Sequence, residues 1–154
     1  MQTKELIALI ENGGLDSRFA ALYGESAVAA QRERYTDAVR EFSSLFGADR
    51  EVRLFSVPGR SEISGNHTDH NRGCVIAAAV DLDIIAVASA NGDGRVTVKS
   101  KGFPADTVDC HPGEPDEKLF YTSGSLLSGV CAGFEKRGYR VGGYDAYTTS
   151  NVLK

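Results

Sequence analysis

Val57-Pro-Gly-Arg-Ser-Glu-Ile-Ser-Gly-Asn-His-Thr-Asp-His-Asn-Arg-Gly-Cys-Val-Ile-Ala-Ala-Ala-Val80 is the stretch around which the chain is organised. Pro58, Gly59, Gly65 and Gly73 break its backbone into turns, and Arg60, Glu62, Asn66, His67, Asp69, His70, Asn71 and Arg72 crowd polar groups between two apolar runs. It reads as a polar loop held between strands. On its upstream side Val52, Leu54 and Ser56 alternate with Arg53, Phe55 and Val57 until Pro58 interrupts the strand. On its downstream side Cys74 to Val80 and Leu82 to Ala88 are apolar runs flanking Asp81. They predict two buried strands or one long bent one, with the alanines leaving a helix open.

Further downstream, Asn91-Gly-Asp-Gly94 is the strongest hairpin signal, followed by the alternating Arg95–Ser100 and a short edge strand over Thr107–Cys110. The turn lacks a Gly-x-Gly-x-x-Gly pattern or a Walker lysine, so it reads as a turn and not as a phosphate loop. His111 to Asp116 is a loop by composition. Leu119, Leu126, Leu127, Val130 and Phe134 mark a helix ending near Gly138, and Tyr144–Ser150 reads as a polar strand. Upstream of the central stretch the period is helical. Thr3 is placed as the cap of a first helix carrying Leu6, Leu9 and Ile10, and Asp16 starts a second with Phe19, Leu22 and Tyr23. Ser26 is placed as the cap of a third, whose Tyr35, Val39, Phe42 and Phe46 share one stripe, its arginines and glutamates lying mostly on a solvated face. The expected class is α+β: a helical arm over 1–50, then a mixed or antiparallel sheet with a helix on one face over 51–154.

With 154 residues the chain is long enough to bury one core without a metal or disulfide staple. A net charge of −4 argues against nucleic-acid binding through a general basic field. Cys74, Cys110 and Cys131 are odd in number and form no Cys-x-x-Cys pair, so a reducing cytoplasm is the natural compartment. Neither a secretory signal nor a membrane span is visible, and no membrane partner is expected.

The chemistry of the loop admits three readings. Guanidinium, imidazole, amide and carboxylate groups gathered in one loop can bind a polyhydroxylated or phosphorylated small molecule: Asp69 accepts hydroxyl hydrogens, Asn66 and His67 donate or accept, and Arg60 neutralises developing negative charge. Alternatively Asn66, Thr68 and Asp69 close turns on their own backbone. A metal site from His67, Asp69, His70 and His111 is the third, at a spacing that matches no standard helix-borne ligand pair.

Gly59-Arg-Ser-Glu-Ile-Ser-Gly-Asn-His-Thr-Asp-His70 resembles the galactokinase signature Gly-Arg-x-Asn-Leu-Ile-Gly-Glu-His-Thr-Asp-Tyr, a signature of the GHMP small-molecule kinases. Pro58, Asn71, Gly73, the small apolar strand and the helical arm fall in the same order. The resemblance implies the N-terminal part of a GHMP kinase domain, the ribosomal protein S5 domain 2-like fold. It implies ATP-dependent phosphorylation of galactose or a close hexose at the anomeric hydroxyl, with ATP and Mg2+ serving the full-length protein. By the same resemblance Arg60 sits beside the transferred phosphoryl group and the attacking hydroxyl, while Asn66, His67 and Asp69 bind sugar hydroxyls. Asn66 stands where the family has glutamate, Glu62 where it has asparagine and His70 where it has tyrosine. A non-catalytic sugar sensor that has kept the loop is the alternative function.

The family's Gly-Leu-x-Ser-Ser-Ser-Ala phosphate loop would follow Ser150 and its catalytic aspartate would lie beyond Lys154. The chain is therefore expected to hold the sugar-site loop, to bind neither ATP nor Mg2+ well, to be inactive alone, and to self-associate through strand edges.

Overall fold

Three helices precede the sheet in the computed structural model, which describes residues 1–65 and 71–152. α1 spans Thr3–Glu11, α2 Asp16–Tyr23 and α3 Val28–Phe46. The helical period of their apolar residues becomes one buried seam: Leu6 and Ile10 of α1 and Phe19 of α2 meet Tyr35, Val39 and Phe42 of α3. The phenyl ring of Phe19 lies 4.8 Å from that of Tyr35. Two caps differ from expectation. Thr3 is the first helical residue, after the N-cap Gln2, and its buried hydroxyl donates to the Ala48 carbonyl. Ser26 lies in a 3-10 turn, Glu25–Ala27, that precedes α3.

The sheet comprises β1 (Arg53–Ser64), β2 (Ile76–Ala90), β3 (Arg95–Ser100), β4 (Ala105–Asp109) and β5 (Tyr144–Ser150), in the order β1-β2-β5-β3-β4. Only the β3–β5 pair is parallel, so the sheet is mixed and the α+β expectation is met. Side chains alternate across β5. Tyr147 therefore joins the core under the helical arm, together with Ile85 and Val87, whereas Tyr144 packs with Val96, Cys110 and Cys131 under α4 (Ser123–Lys136) on the other face. Thr122 caps α4 by accepting the Ser125 amide at 3.1 Å.

Three strand expectations are corrected. Pro58 does not end the first strand: β1 runs through it to Ser64, which takes Arg60 out of the loop and into the ladder. Proline is tolerated there because β1 is an edge strand and the pairing is already irregular at Pro58. The two downstream runs form the single strand β2, but only its second half is buried; Ile76 is 61% exposed, and no helix among the described residues covers it. Finally, Asn91–Gly94 makes a turn but not a hairpin, since β5 is inserted between β2 and β3. The turn must therefore span two strand spacings, roughly 10 Å. Its Asn91 amide donates to the Gly143 carbonyl at 3.2 Å, which docks the turn on the start of the inserted strand.

Candidate functional site

Arg60 stands exposed on β1, opposite Ala79 of β2. Pro58 pairs with Asp83 and Arg60 with Ala79, so Val80, Asp81 and Leu82 together face the single residue Gly59. Such a bulge bends the ribbon and re-aims the side chains beyond it. Pro58, Gly59, Arg60, Glu62 and Val152 line an open cleft of about 420 Å³ at this bend. A Cβ on Gly59 would lie 3.1 Å from the Val152 methyls and 3.2 Å from the Leu82 carbonyl, so the close packing of the β5 exit on the bulge depends on a small residue. Gly65 ends β1 at φ +115°, and a Cβ there would come within 2.6 Å of the Cys74 carbonyl oxygen. Glycine is thus required at this position.

Asn66, His67 and Asp69, expected to bind the sugar, lie outside the described residues, as do Thr68 and His70. His111, the fourth residue of the metal reading, hydrogen-bonds through Nδ1 to Glu135 of α4. No group of three or more metal-ligating side chains occurs among the described residues. Cys110 and Cys131 are buried thiols in the core under α4, and burial, reinforced by neighbouring Cys110, pushes the Cys131 thiol up. In and beside the Asn91–Gly94 turn, Asn91 Oδ1 accepts the Asp93 N–H at 3.2 Å and Asp93 Oδ1 accepts the Arg95 N–H at 2.8 Å. That supports its reading as a turn.

Beneath the bulge, sequence reasoning missed a buried charge. The Asp83 side chain is 3% exposed and accepts from three directions: Arg34 Nη1 at 2.6 Å on Oδ1, and the Tyr23 and Ser56 hydroxyls on Oδ2. The Arg34 fork continues to the Asp83 carbonyl at 3.0 Å and to Gln31 Oε1 at 3.2 Å, while Tyr35 and Tyr23 share a hydrogen bond of 2.7 Å. Arg34 is thus an exception to the solvated face expected for α3. Burial pushes the Asp83 carboxyl up, but the hydrogen bonds from Ser56, Tyr23 and Arg34 outweigh it and hold the group below the usual carboxylate range. The same burial, with the Asp83 hydrogen bond, pushes the Tyr23 phenol well above its ordinary value. Asp83 also reaches the end of β5, donating its amide to Asn151 Oδ1 at 2.7 Å. A lone aspartate inside the apolar run Leu82–Ala88 is the sequence signal for such a group, because an unpaired buried carboxylate is not tolerated there.

A second guanidinium–carboxylate pair closes the other end of the same face. Arg50 Nη2 lies 3.0 Å from Asp145 Oδ2 and also reaches the Ala90 carbonyl, with Asn91 Nδ2 on the remaining carboxylate oxygen at 3.0 Å.

Comparison with known proteins bears on the bulge and its loop. The galactokinase galactose-binding signature matches residues 40–90. The galactokinase of Bacillus subtilis is 31% identical over 113 residues, which is 72% of this chain and 29% of that protein. The human galactokinase is 38% identical over 74 residues, 48% of this chain and 19% of that protein. Among solved structures, Lactococcus lactis galactokinase complexed with galactose superposes with a TM-score of 0.62 at 23% identity, over 75% of this chain and 30% of that one. The match thus spans 19% to 30% of the length of these relatives. In signature, sequence and fold it resembles an N-terminal portion of the galactokinases, and the bulge at Gly59 lies within the stretch that the signature matches.

Proposed function

We propose that the chain forms the sugar-side portion of a cytoplasmic galactokinase-like enzyme that transfers a phosphoryl group from ATP to the anomeric hydroxyl of galactose or a close hexose. The observation that carries this reading is the match of the galactose-binding signature over residues 40–90, which brings Arg60, Asn66, His67 and Asp69 into one short segment. In it Asn66, His67 and Asp69 orient sugar hydroxyls, the carboxylate of Asp69 accepting two of them. Arg60, exposed at the mouth of the cleft, offsets the negative charge that develops between the attacking hydroxyl and the phosphoryl group. Phosphoryl transfer rests on positioning and charge far more than on covalent chemistry, so a bulge that aims one guanidinium is a fitting contribution.

ATP with Mg2+ would supply the transferred group. The glycine-bearing turn at Asn91–Gly94 bonds the Asp93 N–H to Asn91 Oδ1, which supports reading it as a turn and not as a phosphate loop. The chain alone is proposed to bind sugar without turnover. Asn66 in place of the family's glutamate keeps hydrogen bonds but loses a charge-assisted acceptor, which makes the exact hexose the open variable. The exposed apolar residues Phe55, Val57 and Ile63 along the β1 edge support self-association, and a monomeric sedimentation profile at high concentration would remove that element.

Calorimetric titration with galactose, glucose and mannose tests the function. Saturable galactose binding that weakens at least tenfold in Asp69→Ala, the loss of about 1.4 kcal/mol, is expected. No binding of any hexose would sink the reading. Steady phosphorylation by the 154-residue chain, with contaminating kinase excluded, would overturn its inactivity alone.

A further inference from the structure

The buried charge under the bulge has no role in the chemistry described so far, yet every element that frames the Arg60 cleft meets on it. Ser56 precedes the bulge on β1, Asp83 stands opposite Pro58 on β2, and Asn151 leads out of β5 into Val152, which packs on Gly59. Arg34 Nη2 also lies 3.5 Å from the Thr149 carbonyl, so one guanidinium on α3 faces both β2 and β5 at this level. Among the described residues no helix packs on the ribbon beyond the bulge, where Ile63 and Ile76 are exposed. The network below the bulge, by contrast, reaches both strands of the ribbon that carries Arg60.

We propose that Asp83 and Arg34 are positioning residues for the Arg60 site: the buried pair clamps the bulge between Ser56 and Asn151 and so fixes both Arg60 and the Val152 wall of the cleft. The proposal rests on the sugar-kinase reading for the use of the site, but the clamp itself is a property of this chain. A carboxylate suits the task because its two oxygens take three donors at once, whereas an amide in the same place offers one acceptor and would confront a donor with a donor. Asp83→Asn keeps shape and removes this match. Arg34→Lys keeps charge and removes the fork that bonds the side chain and the carbonyl of Asp83 together.

Amide hydrogen exchange resolved by residue, with galactose titration of the same samples, decides it. Ile85→Ala, a truncation in the same core that touches none of the clamp hydrogen bonds, serves as the control for general destabilisation. In Asp83→Asn and Arg34→Lys, exchange at Arg60–Ser64, Ile76–Ala79 and Val152 should rise roughly tenfold more than in β3 and β4. In Ile85→Ala the rise should be even across the sheet. Galactose affinity should fall roughly tenfold in the clamp variants and stay within about twofold in Ile85→Ala. Should Asp83→Asn fail to fold, Ser56→Ala and Tyr23→Phe each remove one donor and should show the same local pattern at smaller amplitude. An even rise in the clamp variants, or none at the bulge, overturns the proposal. If the unaltered chain binds no hexose, the functional reading fails, while the exchange pattern still accepts or rejects the clamp.

Discussion

The two halves of the β1–β2 ribbon share one antiparallel ladder and differ in everything laid upon it. From Arg53 to Pro58, paired with Ala88 back to Asp83, one face is sealed by the helical arm, and Ile85 and Val87 are almost wholly buried. From Arg60 to Ser64, paired with Ala79 back to Ile76, no helix among the described residues covers the ribbon, and Ile63 is 67% exposed. The bulge at Gly59 is the border. A ribbon of two strands is marginal by itself in water, so the bare half stands because the sealed half and its buried charge hold its root. Arg60 lies on the bare side, so the part of the fold that supplies stability is separate from the part proposed to meet ligand.

The sharpest way to break that division is to truncate its sealed side. Phe42→Ala empties a fully buried site between α3 and the sheet and should cost about 3–5 kcal/mol, read as a large drop in the chemical-denaturation midpoint. If the loss is under about 1 kcal/mol, the arm does not carry the stability ascribed to it.

Acid titration probes the buried charge. Because the folded Asp83 carboxyl sits below its ordinary value, its contribution is complete above the unfolded carboxylate value of about 4 and is lost as pH falls through the lower folded value. Asp83→Asn should therefore flatten the fall in stability below about pH 4, leaving the part due to Asp16, whose carboxyl the Arg32 hydrogen bond also lowers. At neutral pH the substitution should cost about 3 kcal/mol, since it leaves Arg34 buried without its counter-charge. An unchanged acid limb in the variant would mean that the carboxylate is not held in its charged form.

Much of the sealed half is legible in the sequence, and little of what joins it to the bare half is. The stripe of Tyr35, Val39 and Phe42 reveals α3 because burial on one helix face imposes a period of 3.6 residues on neighbouring positions. The alternation in Arg95–Ser100 reveals β3 in the same way. Partners distant in sequence leave no such imprint. Nothing local says that β5 inserts between β2 and β3, or that Pro58 lies in an edge strand where a missing N–H costs no ladder bond. Arg34 and Asp83 are 49 residues apart, so neither residue alone announces the pair. Of the site, the motif names the candidate residues, whereas the bulge that places Arg60 depends on a register between strands that no motif encodes.

Where β1 leaves the ladder, Gly65→Ala should cost about 1–3 kcal/mol, because alanine resists φ +115° and its Cβ would meet the Cys74 carbonyl. A neutral result by thermal denaturation would show that the backbone at Gly65 is not held at this angle.

The smallest stability effect belongs to the residue with the largest functional one. Arg60 is exposed, pairs through its backbone with Ala79 and borders a cleft open to solvent, so removing its side chain exposes no core and orphans no buried partner. Arg60→Ala should stay within about 0.5 kcal/mol of the unaltered chain. In the kinase that the chain is proposed to belong to, the same change should lower turnover by roughly a hundredfold or more, the scale set by loss of one preorganised charge-stabilising group. A loss of stability as large as that of Phe42→Ala would erase the border at Gly59, because it would make the bare half a structural support as well. Full turnover in a well-folded Arg60→Ala protein would instead leave the division standing but move the chemistry off this strand.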